Sequence, residues 1–377
     1  MQPTGVLDTA KATNPLKDLL KFGQSVWLDY IRRDLITSGE LKRLIEEDGL
    51  RGMTSNPTIF EKAIAGSTDY ADILASLKNR PDLDAKARYE LIAIRDIQDA
   101  ADLLRPVYQE SKRRDGYISL EVSPYLARDT QGTLEEARRL WKAVDRPNIM
   151  IKVPGTAEGI PAFEQLISEG INVNVTLLFS VERYAEVIEA FLAGLEQRME
   201  RGLPIASIAS VASFFVSRGD GKVDLALDRL PGGEPLRGTA AIANACTAYR
   251  LFESSLSQPR WSRLAAAGVR PQRPLWASTS TKDPRYPDTY YVEALVAPRT
   301  VNTLPPETLE AYRHHGNPAV RIQAGVDAAA EQLQALARAG IDLAQVTREL
   351  EDEGVEKFAA SYRSLLAAID GKVGQLV

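Results

Sequence analysis

The chain has 377 residues, 26% of them charged, and a formal net charge of -5, a balance that argues against a general nucleic-acid surface, which carries a basic excess. A single cysteine, Cys246, excludes an intrachain disulfide and any cysteine-based zinc or iron-sulfur centre. The only two histidines, His314 and His315, are neighbours in a polar loop, a poor start for a metal site or a Ser-His-Asp triad.

Residues 1–22 have scattered lysines and lack the apolar core of a signal peptide, and no apolar stretch reaches about 18 residues. A soluble, cytoplasmic protein with no membrane partner is expected. Short β-rich segments at 25–30, 49–56, 117–122, 149–154, 172–179, 205–216, 274–278 and 290–296 alternate with longer segments of helical period. Length alone leaves one large barrel or two domains open, but the alternation implies a parallel sheet, and eight strands with covering helices predict a closed (β/α)8 TIM barrel. Taken as a single domain over 1–377, it would build its active site at the strand C-termini.

Between the second and third strands, the charged stretch 70–115 reads as a solvated helical pair. After the fifth strand, Val181, Tyr184, Ile188, Phe191 and Leu195 share one face of a helix over 180–201, with Ser180 at its N-cap and Gly202 just past its end. The stretch 219–272 reads as an enlarged connection between the sixth and seventh strands, carrying the turn-rich Pro231-Gly232-Gly233-Glu234-Pro235 and a helix over 238–257. Beyond the eighth strand, 309–377 is helical in pattern, including 319–338 and 341–366, and is expected to pack on or across the barrel.

Lys152 stands out within this frame. It follows three apolar residues in Asn148-Ile149-Met150-Ile151-Lys152-Val153-Pro154, which reads as a strand buried on both faces. Desolvation disfavours an ammonium, and the free amine is a nucleophile that forms Schiff bases with carbonyl compounds. The alternative is a strand-end lysine whose stem packs while its head reaches water or a carboxylate.

Side chains two apart in a strand share a face. On that rule Ser119 goes with Glu121 and Ser123, Met150 with Lys152, Asn172 with Asn174 and Thr176, and Ser207 with Ser213. Asp29 and Asn56, closing the first two strands, fit the same pattern or serve as turn and helix caps. Glu121 and Asp29 are the carboxylates best placed to move protons, while Asn174 and Thr176 suit a hydroxyl or a relay water. Asn174-Val175-Thr176 also matches a glycosylation sequon, which inside a strand is an accident of sequence. Gly219-Asp220-Gly221-Lys222 lacks P-loop spacing and reads as a turn. Arg218, at the end of the sixth strand, is either a phosphate ligand or a surface arginine.

Five segments in order carry a resemblance: Met53-Thr54-Ser55-Asn56-Pro57-Thr58-Ile59-Phe60, Ile118-Ser119-Leu120-Glu121-Val122, Ile151-Lys152-Val153-Pro154-Gly155-Thr156, Asn174-Val175-Thr176-Leu177-Leu178-Phe179-Ser180 and Ser213-Phe214-Phe215-Val216-Ser217-Arg218. Together they resemble the transaldolase family, in its longer bacterial type. The resemblance implies a class I aldolase barrel, monomer or homodimer, with no metal or organic cofactor. Its expected reaction moves a dihydroxyacetone unit from sedoheptulose 7-phosphate to glyceraldehyde 3-phosphate in the non-oxidative pentose phosphate pathway, giving erythrose 4-phosphate and fructose 6-phosphate.

On the same resemblance Lys152 is the Schiff-base lysine, and Glu121 the acid/base acting through a water held with Thr176. Asp29 is the acid/base on the hydroxyl whose deprotonation breaks the carbon-carbon bond. Asn56, Asn174 and Ser213 contact substrate hydroxyls, Ser119 and Phe215 complete the binding site, and Arg218 takes the phosphate. In the seventh strand the chain departs from the shorter transaldolases: instead of their Ser-Phe-Arg it reads Ala277-Ser278-Thr279-Ser280-Thr281-Lys282, and Ser278 and Lys282 are expected to contribute. The rival readings are a fructose 6-phosphate aldolase, which releases free dihydroxyacetone, and a barrel that only binds sugar phosphates.

Overall fold

Eight parallel strands close into a barrel in the order of the chain: β1 (Gln24–Asp29), β2 (Gly52–Thr54), β3 (Tyr117–Glu121), β4 (Ile149–Pro154), β5 (Val173–Leu178), β6 (Ser210–Phe215), β7 (Arg273–Ala277) and β8 (Thr300–Leu304). The computed structural model describes residues 14–375. The expected (β/α)8 barrel is therefore observed. Any leader in residues 1–22 falls largely on 1–13, outside the described residues. Among the described residues no helix is long and apolar enough to cross a membrane.

Strand parity sorts the side chains. In β4, Ile149, Ile151 and Val153 join the large apolar layer beneath the covering helices, whereas Met150 faces the barrel interior with Trp27, Tyr117, Val211, Leu275 and Val301. The alternate residues of β3 and β6 divide in the same way: Ile118, Leu120, Ala212 and Phe214 face outward. What remains points inward, including Ser119, Glu121, Lys152 and Ser213. Such a doubly buried parallel sheet is the usual reason for near-continuous apolar strands.

The lower interior also holds a buried ion pair. Arg273 Nη2 lies 2.8 Å from Asp115 Oδ1, and Ser25 donates to Asp115 Oδ2 at 2.9 Å. Burial alone would push the Asp115 carboxyl up, but Arg273 and Ser25 hold it below its usual range. Gly52 is required beside this layer, because a Cβ there would sit 2.5 Å from the Trp27 ring.

Above it, β5 breaks register with β6 between Val175 and Leu178, and Leu177 takes a left-handed φ of 61°. The break turns Leu177 into the interior cluster with Phe179 and Phe215. The last helix, Leu343–Gln375, crosses this mouth of the barrel and contributes Leu350 and Phe358 to the same cluster. Gly354 permits the close approach, since a Cβ there would lie 3.0 Å from Leu177 Cδ2. Ion pairs hold the helix in place: Glu351 with Arg183 at 3.4 Å and Arg128 at 3.7 Å, and Asp352 with Arg128.

Several sequence expectations are corrected. The segment 290–296 is not the eighth strand. It begins with the short helix Tyr290–Ala294, and the strand follows at Thr300–Leu304. Tyr291 and Val292 are buried in the outer layer, so an apolar run that read as a strand is packing between β7 and β8. Ser207 and Asn172 lie outside their strands. The Asn172 amide donates to Pro147 O at 3.3 Å and Ile149 O at 3.1 Å, pinning the lower rim instead of facing the interior with Asn174. The helix Ala85–Glu110 is not merely solvated: Ile92, Ile97 and Leu104 are buried on it. His314 and His315 close the helix Pro306–His315 and do not lie in a loop.

Gly219-Asp220-Gly221-Lys222 is no turn, since it lies within the helix Ser217–Leu227. Asp220 points inward, accepting from the backbone N–H of Ala241 at 2.8 Å and from the Tyr291 hydroxyl at 2.9 Å. Burial pushes its carboxyl up from 3.8 to about 7 despite these bonds. The folded state thus holds the proton more tightly than the unfolded chain, and this group's stabilising contribution is lost as pH rises from about 4 to about 7. Asp220→Asn keeps an acceptor and removes the titration. Its melting temperature relative to wild type should therefore climb between pH 5 and pH 8, by the equivalent of on the order of 2 kcal/mol. A difference that does not change with pH, followed by scanning calorimetry, would contradict this account of Asp220.

Candidate active site

A cavity of about 790 Å³ opens at the C-terminal ends of the strands, the end of a (β/α)8 barrel where active sites are built. Asp29, Asn56, Lys152, Thr176, Ser213, Phe215, Arg218, Ser278 and Lys282 all line it. Glu121, Ser119 and Asn174 do not reach its wall. They stand behind Lys152 and Ser213.

Lys152 sits on one rung of the barrel between Glu121 and Asn174, which the strand register pairs with it on either side. Only 3% of the residue is exposed. Its Nζ lies 3.2 Å from Glu121 Oε2, donates to the carbonyl of Ser55 at 3.0 Å, and faces the Phe358 ring at 5.6 Å. The amine does reach a carboxylate, as the alternative reading of the sequence had it, but the pair is buried at the foot of a cavity. A lysine whose head merely escapes to water is excluded.

Glu121 is 8% exposed, and burial pushes its carboxyl up to about 7, the nearby Lys152 pulling the other way. A carboxyl at that position holds or releases a proton near neutrality. Asp29, ending β1, is also raised by burial, with opposing contributions from Lys152, the Thr54 hydroxyl and Arg218. Thr54 Oγ1 donates to Asp29 Oδ1 at 2.6 Å and is itself 2.7 Å from Thr303 Oγ1, so two strand-end hydroxyls fix the carboxylate's orientation.

A buried relay runs behind the cavity wall. Asn174 Nδ2 donates to Ser119 Oγ at 3.0 Å, and Ser213 Oγ donates to Asn174 Oδ1 at 2.7 Å. These bonds leave the Asn174 amide no freedom to flip. Thr176 Oγ1 is buried with no hydrogen-bond partner among the described residues, a costly state that a bound water or hydroxyl relieves. Asn56 is a helix cap, its Oδ1 accepting from Ile59 N at 3.0 Å at the start of Pro57–Ala65, and it lines the cavity as well.

Arg218 lies in the first turn of the helix Ser217–Leu227, one step beyond the strand end expected for it. Its guanidinium rests 5.0 Å from the Phe215 ring centroid, and among the described residues it has no carboxylate at ion-pair distance. Ser278 follows β7 with a left-handed φ of 55° and Oγ 3.0 Å from Ser217 Oγ. A non-glycine residue in that region costs energy that the surroundings must supply, a frequent mark of functional turns. Lys282 stands exposed at the rim.

The cavity also recruits residues that the sequence reading passed over. Thr303 and Glu307 line it because β8 lies ten residues later than expected. The signal was present in Thr300-Val301-Asn302-Thr303-Leu304, a β-branched run bounded by Pro298 and Pro305. Lys357 and Phe358 line it from the last helix. Their only local mark is Gly354, whose place inside a helical pattern signals close packing.

Comparison with known proteins agrees with this geometry. The family described as Transaldolase/Fructose-6-phosphate aldolase matches residues 26–369. The transaldolase of Thiobacillus denitrificans is 49% identical over 94% of this chain and 99% of its own length. That of a Parafrankia species is 50% identical over 96% of this chain and 99% of its own, and that of Acidothermus cellulolyticus 51% identical over 95% and 96%. With a parallel barrel, a sealed lysine-carboxylate pair and matches of this extent, the chain belongs to the transaldolase/fructose-6-phosphate aldolase family.

Proposed function

We infer that the chain is a transaldolase that carries a dihydroxyacetone unit on Lys152 between phosphorylated sugars in the cytoplasmic pentose phosphate pathway, from sedoheptulose 7-phosphate to glyceraldehyde 3-phosphate. The observation that carries this reading is the Lys152–Glu121 pair at the foot of a cavity with unpaired cations on its rim. Lys152 as free amine attacks the ketose carbonyl, and the carbinolamine loses water to give a protonated imine. Glu121 supplies and recovers the protons of these steps, its carboxyl lying near 7. A water held by Thr176 spans the gap from Glu121 to the reacting carbon.

Asp29 then takes the proton of the hydroxyl on the far carbon of the bond to be cleaved, the carbon that becomes the aldehyde. That bond breaks, the aldehyde leaves, and its electron pair is stored as an enamine on Lys152. The positive imine itself favours the carboxylate form of Asp29, as Lys152 does in the free enzyme. Attack of the enamine on an acceptor aldehyde reverses the sequence, and hydrolysis of the new imine frees the lysine. Ser213 and Asn56 face the substrate hydroxyls, Asn174 and Ser119 hold Ser213 from behind, and Phe215 supports Arg218. Arg218, Ser278 and Lys282 receive the phosphate.

Transfer and plain cleavage share this lysine chemistry. They differ in the fate of the enamine. Consumption of fructose 6-phosphate should depend steeply on added erythrose 4-phosphate, with little free dihydroxyacetone formed. Donor consumption at the same rate without acceptor, with stoichiometric dihydroxyacetone, would instead make the protein an aldolase.

A further inference from the structure

The phosphate of a sugar phosphate carries close to two negative charges at neutral pH, and the cavity offers few free cations to meet them. Arg218 is one, and Lys282 stands at the rim. A third lines the cavity from outside the barrel: Lys357, on the helix Leu343–Gln375 that crosses the mouth. None of these three has a hydrogen bond or ion pair among the described residues. Glu353, one turn earlier on the same helix, is already engaged by Lys222 at 2.6 Å.

Lys357 bears the charge of its neighbours. The Lys357 ammonium is held below its usual range, chiefly by the Arg218 guanidinium, then by partial burial and by Lys282. Asp29 and Glu353 offset part of this charge at Arg218, and a doubly charged anion would meet the rest. Helix spacing explains how Lys357 comes to be there. Leu350, Gly354 and Phe358 fall at intervals of four on the face against the barrel, so Lys357, beside Phe358, overhangs the cavity while Phe358 covers Lys152.

We propose that Lys357 is a phosphate-binding residue of the substrate site, so that the bound phosphate bridges the barrel at Arg218 and the C-terminal helix at Lys357. The anion site rests on the cavity geometry, and its use for sugar phosphates rests on the transaldolase reading. Lys282 and Lys357 flank the open side of the cavity, whereas Arg218 closes the inner side.

The test uses the full chain with Lys357→Met and Lys357→Arg. Calorimetric titration with inorganic phosphate should show about tenfold weaker binding for Met and near wild-type binding for Arg, the size expected for one charge-assisted contact open to solvent. The KM for fructose 6-phosphate should rise by a similar factor in Met with kcat held, and borohydride trapping of unphosphorylated dihydroxyacetone on Lys152 should not change. Equal phosphate affinity in Met and wild type would overturn the proposal, as would a Met defect that Arg does not repair. Weakened phosphate binding in Met, combined with no lysine adduct in wild type, would support the anion site while removing the transaldolase reading.

Discussion

Lys152→Met is expected to abolish turnover, lowering kcat by about ten-thousandfold or more, because without the amine no imine forms and the remaining groups act only on a bound ketose. The variant should still fold. Removing one partner of a buried pair normally leaves an uncompensated charge at a large cost, but Glu121 already lies near 7 and can take up a proton once the ammonium is gone. Methionine also keeps most of the stem's packing beneath Phe358. Circular dichroism and phosphate titration should thus report a folded, ligand-competent protein, while coupled assays report no transfer. A Met variant that retained even a few per cent of wild-type kcat would rule out the lysine as nucleophile.

Glu121→Gln should lower kcat by roughly 10²–10⁴, the range for loss of a positioned acid/base, with little change in phosphate affinity. The side chain stands behind Lys152 and does not line the cavity wall, so its loss affects proton movement more than ligand contact. Rapid-mixing measurements of imine formation add a readout that a packing role would not move. Wild type should show an inflection near pH 7, where Glu121 changes from donor to acceptor, and the Gln variant should lack it. Unaltered turnover in Gln would take Glu121 out of the mechanism.

The barrel was legible because its physics is local and repeated. Strands buried on both faces read as apolar runs, and any polar residue inside one, such as Lys152 in β4 or Asn174 in β5, is conspicuous against that background. Parity placed Ser119 with Glu121 and Asn174 with Thr176 on one face without knowing which face was inward. It misled only at the ends, where Asn172 and Ser207 lie just before their strands and obey rim hydrogen bonding instead.

The eighth strand was misread for a related reason. Tyr290 to Val296 is apolar because it packs between β7 and β8, and burial alone does not separate a short helix from a strand. The cost of that error was functional, since Thr303 and Glu307 went with it. Arg218 was found because it ends a strand motif. Lys357 was not, because the expectation that the C-terminal helices pack on or across the barrel does not tell which of their residues face the cavity, a fact settled by the packing of Leu350, Gly354 and Phe358 on Leu177. Side chains that reach a site from a remote element leave no periodic trace at that site.

The position of the covalent intermediate separates Lys152 from every other lysine as the nucleophile. Incubation with fructose 6-phosphate, reduction with borohydride, proteolysis and mass spectrometry will locate it. The donor-derived adduct should appear on the peptide containing Lys152 and be absent from the Lys152→Met variant. An adduct on another lysine, or none at all from an enzyme that still consumes the sugar, would contradict the central claim.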